Sequence, residues 1–232
     1  MLGPRVCTQS ISVVVPTWCE AVEIASCVAC AQAIGDEVVV ADANSPDGTA
    51  TIAERAGARV VQARRGRGLQ LHAGAAAARG NVLLFLHADT RLPPEARAAV
   101  LDVLKDDRIE GGNFRLCFLP ATPLARIFDA LYDLRRRALA IYYGDSALFV
   151  RRAVYEALGG FRPLPLLEDY EFIRRLERRG RTRYVRAIAA ATSSRRYARR
   201  PARTLLAWVV VQALYSLGVS PHRLIRLYSD VR

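Results

Sequence analysis

The run Val13-Val14-Val15-Pro16-Thr17 is the first of three apolar segments that each end in polar residues. The second is Val38-Val39-Val40-Ala41-Asp42, and the third is Leu83-Leu84-Phe85-Leu86-His87-Ala88-Asp89. An apolar run of about five residues is typical of a strand that is buried on both faces of a parallel sheet. The polar residues then fall at the carboxyl ends of the strands, where open α/β sheets bind their ligands. The three segments therefore predict a ligand site at one edge of a parallel sheet.

Helical stretches separate these strands. Glu20 to Ile34 is rich in alanine and stops at Gly35, and Asp47-Gly48-Thr49 opens a helix that runs to about Ala56. Repeated strand, helix, strand units predict an α/β fold with a doubly wound, mostly parallel sheet flanked by helices. The other expected elements are strands at Ala58–Gln62, Val82–Leu86 and Gly112–Phe118, and helices at Leu69–Ala78, from Pro93-Pro94 to about Lys105, and at Leu124–Ala140.

Length and composition favour one domain. The 232 residues are 52% hydrophobic, which is enough for a sizeable core. Met1 to Ser10 lacks a basic stretch followed by an apolar core, so no signal peptide is expected. Leu205 to Leu217 falls short of the roughly 18 to 20 residues that span a bilayer. Together with an odd number of cysteines, five, these features favour reduced thiols in the cytoplasm.

Two of the cysteines, Cys27 and Cys30, have the spacing of a CxxC motif. A structural zinc site needs two further ligands, and the three histidines are scattered along the chain. Three-residue spacing on the alanine-rich helix also suits two small core residues, which is the favoured interpretation.

The net charge of +12 comes almost entirely from arginine, because Lys105 is the only lysine. Arginine presents a planar fork that grips phosphates in a bidentate manner. An anionic substrate, nucleic acid and an acidic membrane surface all fit this charge, as does a GC-rich genome that favours arginine codons. No helix-turn-helix, zinc-finger or aromatic stacking motif accompanies the basic residues, so we expect no nucleic-acid partner.

The chain contains an ordered series of motifs: Val13 to Glu20, Asp42 to Thr49, Gly159-Gly160-Phe161 and Glu168-Asp169. This series resembles the family 2 glycosyltransferases of the GT-A fold. The resemblance implies a GT-A, Rossmann-like enzyme that uses a UDP-sugar, with residues 1–110 holding the donor, 111–200 the acceptor, and 201–232 forming a helical extension. It places Pro16, Thr17 and Glu20 around the uracil ring, Asp42 on the uridine and the general base at Asp169, with Glu168 as its nearest competitor.

The metal motif departs from the family pattern. The family usually has Asp-x-Asp, and this chain has His87-Ala88-Asp89. In the family the last aspartate holds a divalent cation, so Asp89 implies a Mg²⁺ or Mn²⁺ site completed by waters and diphosphate oxygens. His87 would suit Mn²⁺ if it coordinates, or it is a neutral hydrogen-bonding group beside the ribose. Because His87 replaces the first acidic ligand of the family motif, a nucleotide-binding pseudoenzyme is a further alternative.

The acceptor side is similar to one subgroup of the family. Five segments carry the likeness: Gly144 to Arg152, Leu167 to Phe172, Thr192 to Tyr197, Leu217 to Pro221 and Tyr228 to Arg232. The subgroup comprises selenium- or arsenosugar-associated transferases and includes selenosugar synthases, which join a UDP-sugar to selenophosphate. The likeness implies an anionic acceptor bound by Arg195, Arg196 and Asp145.

Charge supports the same interpretation. Arg195 and Arg196 follow three hydroxyl residues, and their guanidinium groups would bind a phosphate through paired hydrogen bonds. A solvated basic turn fits this sequence too. Arg67, on a glycine-rich loop with Arg64 and Arg65, would bind the donor diphosphate or the acceptor. Selenium is already an ionised nucleophile and hardly needs a base, so Asp169 would orient the acceptor, stabilise positive charge on the sugar, or help a water cleave phosphate from the product. In-line displacement implies inversion at the anomeric carbon.

The stretch from Arg203 to Tyr215 has an arginine-rich approach and an apolar body. A basic amphipathic helix could contact an anionic membrane, which would suit the second candidate function, transfer to a lipid or polysaccharide hydroxyl. Because the body is apolar nearly all round, packing within the protein or in a homodimer is favoured over peripheral membrane contact.

Overall fold

The computed structural model describes residues 9–194 and 201–228. Its eight strands form one sheet in the order β3-β2-β1-β4-β7-β6-β8-β5. The strands are β1 (Ile11–Thr17), β2 (Glu37–Asp42), β3 (Arg59–Gln62), β4 (Val82–Phe85), β5 (Thr90–Arg91), β6 (Ile109–Leu119), β7 (Phe149–Arg151) and β8 (Arg181–Ser193). The helices are α1 (Ile24–Gln32), α2 (Thr49–Arg55), α3 (Arg67–Ala77), α4 (Glu95–Val103), α5 (Pro123–Leu139), α6 (Arg152–Ala157), α7 (Glu168–Arg179), α8 (Pro201–Ser216) and α9 (Pro221–Tyr228), with a 3-10 turn at Gly144–Ser146.

The first four strands in the sheet order are parallel, as the apolar runs predict. Thr17 pairs with Asp42, and Val14 pairs with Phe85, so β1, β2 and β4 end at the same edge. Val13 and Val15 belong to one core cluster and Val14 belongs to the other. The expected burial of β1 on both faces is therefore confirmed, and its polar end lies at the sheet edge.

The other half of the sheet is mixed. β7 is antiparallel to both β4 and β6, β5 is antiparallel to β8, and the long strands β6 and β8 are parallel to each other. The fold is an α/β sheet flanked by helices, and its antiparallel pairs are a feature that the repeated units of the first half do not predict. The three-residue β7 and the two-residue β5 are too short for a periodic signal.

Cys27 and Cys30 lie on α1, and the core interpretation of the CxxC spacing is confirmed. Cys27 is fully buried in the core, and Cys30 packs against it. The Cys30 thiol donates a hydrogen bond to the carbonyl of Leu92 at 3.0 Å. Burial raises the pKa of the Cys27 thiol to about 12, so this thiol is a poor nucleophile at neutral pH.

The helix α8 packs on α5, as one of the sequence alternatives has it. The Trp208 ring lies 6.2 Å from the Phe128 ring and 5.6 Å from the Tyr132 ring, both centroid to centroid. Val211 is buried against a second cluster that contains Tyr170. Within residues 9–194 and 201–228, no helix combines the length and the apolarity that crossing a membrane demands.

Candidate active site

The ends of β1 and β2 form a hydrogen-bonded group, the β1–β2 edge, which consists of Thr17, Asp42 and Ser45. Asp42 is fully buried. Its Oδ1 accepts hydrogen bonds from the hydroxyls of Thr17 at 2.9 Å and Ser45 at 2.6 Å, and its Oδ2 accepts one from the Ser45 amide at 2.8 Å. A carboxylate has about four acceptor positions. Asp42 is thus fixed in place and retains capacity to accept a further hydrogen bond.

The loop after β1 is tied to the start of α2. The Glu20 amide donates to the Thr49 hydroxyl at 2.9 Å, and the Ala21 amide donates to Asp47 Oδ2 at 3.1 Å. The Arg65 guanidinium carbon lies 4.2 Å from the Trp18 ring centroid. Pro16, at the register position opposite Ala41, Thr17 and Glu20 therefore share one corner of the sheet edge with Asp42.

His87 and Asp89 follow β4 and line a cleft together with Arg67, Asp145 and Asp169. His87 and Asp169 both lie close to Gly144. A Cβ added at Gly144 would lie 3.2 Å from Asp169 Oδ2 and 3.4 Å from His87 Nε2. The absence of a side chain at Gly144 thus lets the third predicted strand tip meet the start of α7.

Glu168 and Asp169 stand in the first turn of α7. They are 2% and 3% exposed. The Gly144 amide donates to Asp169 Oδ2 at 2.9 Å, and the Tyr170 amide contacts Asp169 Oδ1 at 2.7 Å. The helix N-terminus also favours negative charge at this position. Burial raises the pKa of Glu168, while the charge of Arg67 opposes that rise.

Arg67 holds this pair of carboxylates. Its Nε donates to Glu168 Oε1, and its Nη2 lies 3.4 Å from Asp169 Oδ2. Burial lowers the pKa of Arg67, but the charges of Glu168 and Asp169 more than offset this and raise it above its ordinary value. Arg67 is therefore a permanent cation inside the cleft, and it contacts the predicted catalytic residues. Its predicted contact with the nucleotide-sugar stays a prediction.

Asp145 completes what we call the carboxylate cluster: Asp145, Glu168 and Asp169 with Arg67. Its Oδ1 is buried and has no hydrogen-bond partner within the described residues. Burial raises the pKa of Asp145 to about 7, the charge of Asp169 adds to the rise, and Arg135 and Arg67 oppose it. A substantial fraction of Asp145 is consequently protonated at neutral pH.

One part of the cleft wall is aromatic and apolar. The cleft encloses about 790 Å³, including space open to solvent. The motifs did not predict most of this wall, because its residues come from five separate segments and share no local pattern. Its side chains are Phe118, Tyr132, Tyr143, Leu166, Leu167, Trp208 and Val211.

The predicted anion-binding residues Arg195 and Arg196 lie outside the described residues. Thr192 and Ser193, which belong to the same segment, line the cleft. The Thr192 hydroxyl forms a hydrogen bond with Thr90 at 3.0 Å. The segment therefore reaches the cleft at the end of β8.

A divalent metal site would depend on His87 and Asp89. Among the described residues, no group of three or more His, Cys, Asp or Glu side chains has an arrangement that could hold a metal ion. One carboxylate and one imidazole still fit Mn²⁺, and Mg²⁺ commonly keeps several waters and binds substrate phosphates. The donor set thus fits a cation that is completed by ligand oxygens and water.

The chain matches a known protein family over more than half of its length. The model of the family described as glycosyl transferase family 2 matches residues 12–158. The chain belongs to this family. The matched part includes the β1–β2 edge, His87, Asp89 and Asp145. No curated protein sequence matches the chain significantly.

Solved structures share the fold of this family 2 chain. A glucosyl-3-phosphoglycerate synthase from Mycobacterium tuberculosis, in complex with Mn²⁺, UDP-glucose and phosphoglyceric acid, has a TM-score of 0.65 at 22% identity; the match covers 91% of this chain and 81% of that one. The same enzyme with Mg²⁺ and UDP has a TM-score of 0.58 at 22% identity, covering 80% and 70%. A mycobacterial protein has a TM-score of 0.59 at 23% identity, and the chain spans only 66% of its length.

Proposed function

We propose that this family 2 glycosyltransferase moves a sugar, glucose or N-acetylglucosamine, from its UDP donor to a small phosphate-bearing acceptor, and that the acceptor is selenophosphate. The observation that carries the proposal is the cleft in which Asp89 and His87, after β4, face Arg67 and the carboxylates of α7. The fold shared with an enzyme solved with UDP-glucose and phosphoglyceric acid supports the donor and the acceptor class. The choice of selenophosphate rests on the sequence resemblance of the acceptor segments.

Asp89, with His87, would hold a Mg²⁺ or Mn²⁺ ion. Such an ion would neutralise negative charge on the departing diphosphate. The residues at the ends of β1 and β2 would position the UDP-sugar. Asp42 offers an acceptor position to the ribose, and Pro16, Thr17 and Glu20 shape the corner for the base.

The charge of the cleft decides what the acceptor needs. The single positive charge of Arg67 lies beside the two carboxylates of Glu168 and Asp169. Asp145 is partly neutral at neutral pH because burial raises its pKa to about 7. An anionic acceptor therefore requires further positive charge. Arg195 and Arg196, which follow the cleft residues Thr192 and Ser193 in the sequence, would supply it together with the metal.

Asp169 would act on the sugar and the acceptor as a fixed charge. Its two oxygens are held by the Gly144 amide, the Tyr170 amide and Arg67. Selenium attacks the anomeric carbon with its own lone pair, the bond from that carbon to the UDP oxygen breaks, and UDP leaves with the electron pair. No proton must be removed from the nucleophile, so Asp169 stabilises positive charge on the sugar and orients the acceptor, with inversion at the anomeric carbon.

The test is transfer by the purified protein. We expect incubation with UDP-glucose or UDP-N-acetylglucosamine, Mg²⁺ or Mn²⁺ and fresh selenophosphate to release UDP and to give a selenium-containing sugar by mass spectrometry. Asp89→Ala should lower the product roughly 10³-fold, Arg196→Ala should weaken it, and the substitution Arg55→Ala, at an exposed residue, serves as the control.

Two other outcomes would overturn parts of the proposal. Transfer only to a lipid or polysaccharide hydroxyl would keep the glycosyltransferase and replace the acceptor. UDP binding without turnover of either UDP-sugar, with every acceptor class supplied, would make the chain a nucleotide-binding scaffold.

A further inference from the structure

Three consecutive arginines near the end of α5 differ in their partners. Arg136 Nη2 lies 3.5 Å from a carboxylate oxygen of Glu177, and Arg137 Nη1 lies 3.7 Å from one of Asp133. The Nε and Nη2 of Arg135, in contrast, are buried and have no hydrogen-bond partner among the described residues. Buried donors that make no hydrogen bond cost free energy, above all on a charged group. A bound group that accepts hydrogen bonds from Arg135 would recover this free energy.

Two tyrosine rings hold the Arg135 guanidinium in place. Its central carbon lies 4.5 Å from the centroid of the Tyr132 ring and 4.7 Å from that of the Tyr143 ring. Tyr132 packs against Trp208, and the Tyr143 hydroxyl donates a hydrogen bond to Gln212, so α8 fixes both rings. Cation–π contacts engage the face of a guanidinium and leave the N–H groups at its edge able to donate.

The positive charge of Arg135 acts on the cleft. Tyr132 and Tyr143, which contact the guanidinium, both line the cleft, and so does Asp145. Burial and the charge of Asp169 raise the pKa of Asp145, and the charge of Arg135 opposes this rise. Burial likewise raises the pKa of Tyr143, and Arg135 opposes that rise too. The guanidinium therefore lies close to the part of the cleft between Tyr143 and Asp145.

The two arginines of the cleft are engaged to different extents. Arg67 is shared by the carboxylates of Glu168 and Asp169, so its charge is largely neutralised inside the protein. Arg135 keeps donors that no described residue uses at Nε and Nη2. A planar guanidinium matches the oxygens of a phosphate and binds them through paired, charge-assisted hydrogen bonds. An oxyanion is consequently the ligand class that fits Arg135.

We propose that Arg135 binds the phosphate group of the acceptor in the part of the cleft next to Tyr143 and Asp145. The identity of the acceptor rests on the function proposed above, whereas the anion site itself does not. The phosphate oxygens accept hydrogen bonds from a guanidinium whose position the two tyrosine rings set in advance. Arg195 and Arg196 would then add positive charge to a site that Arg135 already provides.

The experiment is equilibrium binding of thiophosphate, a stable analogue of selenophosphate, to the full-length protein saturated with UDP and Mg²⁺. Broadening of the thiophosphate phosphorus resonance measures the affinity. We expect Arg135→Met, which keeps the length of the side chain and removes the guanidinium, to weaken binding on the order of ten- to hundred-fold, because charge-assisted hydrogen bonds are lost. Arg135→Lys keeps the charge without the planar fork, so it should weaken binding less than Arg135→Met.

Arg126→Met is the matched control, because Arg126 is exposed on the same helix and the substitution removes the same charge. It should bind thiophosphate like the unchanged protein, and thermal unfolding and UDP affinity should show that all variants are folded. Lower thermal stability of Arg135→Met with unchanged thiophosphate affinity would overturn the proposal and make Arg135 a packing residue between the tyrosines. The absence of thiophosphate binding by the unchanged protein would overturn it as well.

Transfer kinetics separate this site from the proposed function. If the unchanged enzyme uses selenophosphate, Arg135→Met should raise the KM for selenophosphate by a factor similar to its loss of thiophosphate affinity, and the KM for the UDP-sugar should change less than about two-fold. An equal KM for selenophosphate in both proteins would overturn the role of Arg135 and keep the proposed function. Thiophosphate binding that Arg135→Met loses, without any transfer to selenophosphate by the unchanged enzyme, would keep the anion site and replace the acceptor.

Discussion

The β1–β2 edge and the carboxylate cluster both hold buried aspartates, but they hold them in different ways. Asp42 accepts three hydrogen bonds from residues 17 and 45. In the cluster, Asp145 Oδ1 is buried without a partner among the described residues, and Glu168 and Asp169 share a single arginine that is about 100 residues away in the sequence. The hydrogen bonds that fix Asp42 therefore form without a ligand. The cluster instead has three buried carboxyl groups beside one arginine, so a bound cation or hydrogen-bond donor would stabilise it.

Asp89 lines the cleft together with the carboxylate cluster and is the carboxylate that would hold the metal ion, so its removal should have the largest effect. We expect Asp89→Ala to lower the rate of sugar transfer roughly 10³-fold, because charge on the leaving diphosphate is no longer neutralised through this carboxylate. UDP release measured across a Mn²⁺ titration checks this, and chelation should reduce the unchanged enzyme to the same level. Asp102→Ala, which alters an exposed pair with Lys105, is the control. Undiminished, metal-responsive transfer by Asp89→Ala would remove Asp89 from the site.

Asp169→Asn should have the next largest effect, and its size depends on the acceptor. With a hydroxyl acceptor the rate should fall about 10²-fold, as for loss of a general base. With selenophosphate the fall should be no more than about ten-fold, because the nucleophile carries no proton to remove. Comparing kcat for the two acceptors measures this difference, and Glu168→Gln tests the neighbouring carboxylate in the same assay. Equal falls for both acceptors would show that Asp169 does not act as proposed.

The raised pKa of Asp145 predicts how the stability of the protein depends on pH. Burial raises its pKa to about 7 from an ordinary 3.8, so between about pH 4 and 7 the folded state binds more protons than the unfolded state. The free energy of unfolding should therefore fall as pH rises through this window and level off above pH 7. We expect Asp145→Asn to remove on the order of 2 kcal/mol of this fall, less than the full shift implies, because part of the side chain borders solvent.

Chemical denaturation at pH 5 and pH 8 measures this change. Asp106→Asn is the control, because hydrogen bonds from Arg108 lower the pKa of Asp106 to about 2, and its contribution therefore has the opposite sign and lies below pH 4. An identical pH dependence for Asp145→Asn and the unchanged protein would mean that Asp145 is ionised throughout and that the cluster is as well satisfied as the edge.

The same contrast explains what could be predicted from the sequence. β1 and β2 were located to within a residue at their polar ends, because burial on both faces imposes an unbroken apolar run. The edge that they carry is formed by residues close to those runs. Tyr143, Trp208 and Val211 were not predicted as cleft residues, since α8 and the turn before β7 meet only in the tertiary structure. The pairing of Arg67 with Glu168 was missed for the same reason, although each residue had been singled out separately.

Thr17→Val should have the smallest effect, and it tests whether the edge is as redundant as its hydrogen bonds suggest. The substitution keeps the shape of a side chain that is 1% exposed and removes one bond, the 2.9 Å contact with Asp42 Oδ1. The Ser45 amide and hydroxyl still hold Asp42. The free energy of unfolding should therefore fall by only about 1 kcal/mol, the net value of one hydrogen bond, and UDP affinity by less than about five-fold. Isothermal titration with UDP and urea unfolding measure both. If Thr17→Val alone abolished UDP binding, the hydroxyl itself would contact the nucleotide, and the edge would be a binding element in its own right instead of a support for Asp42.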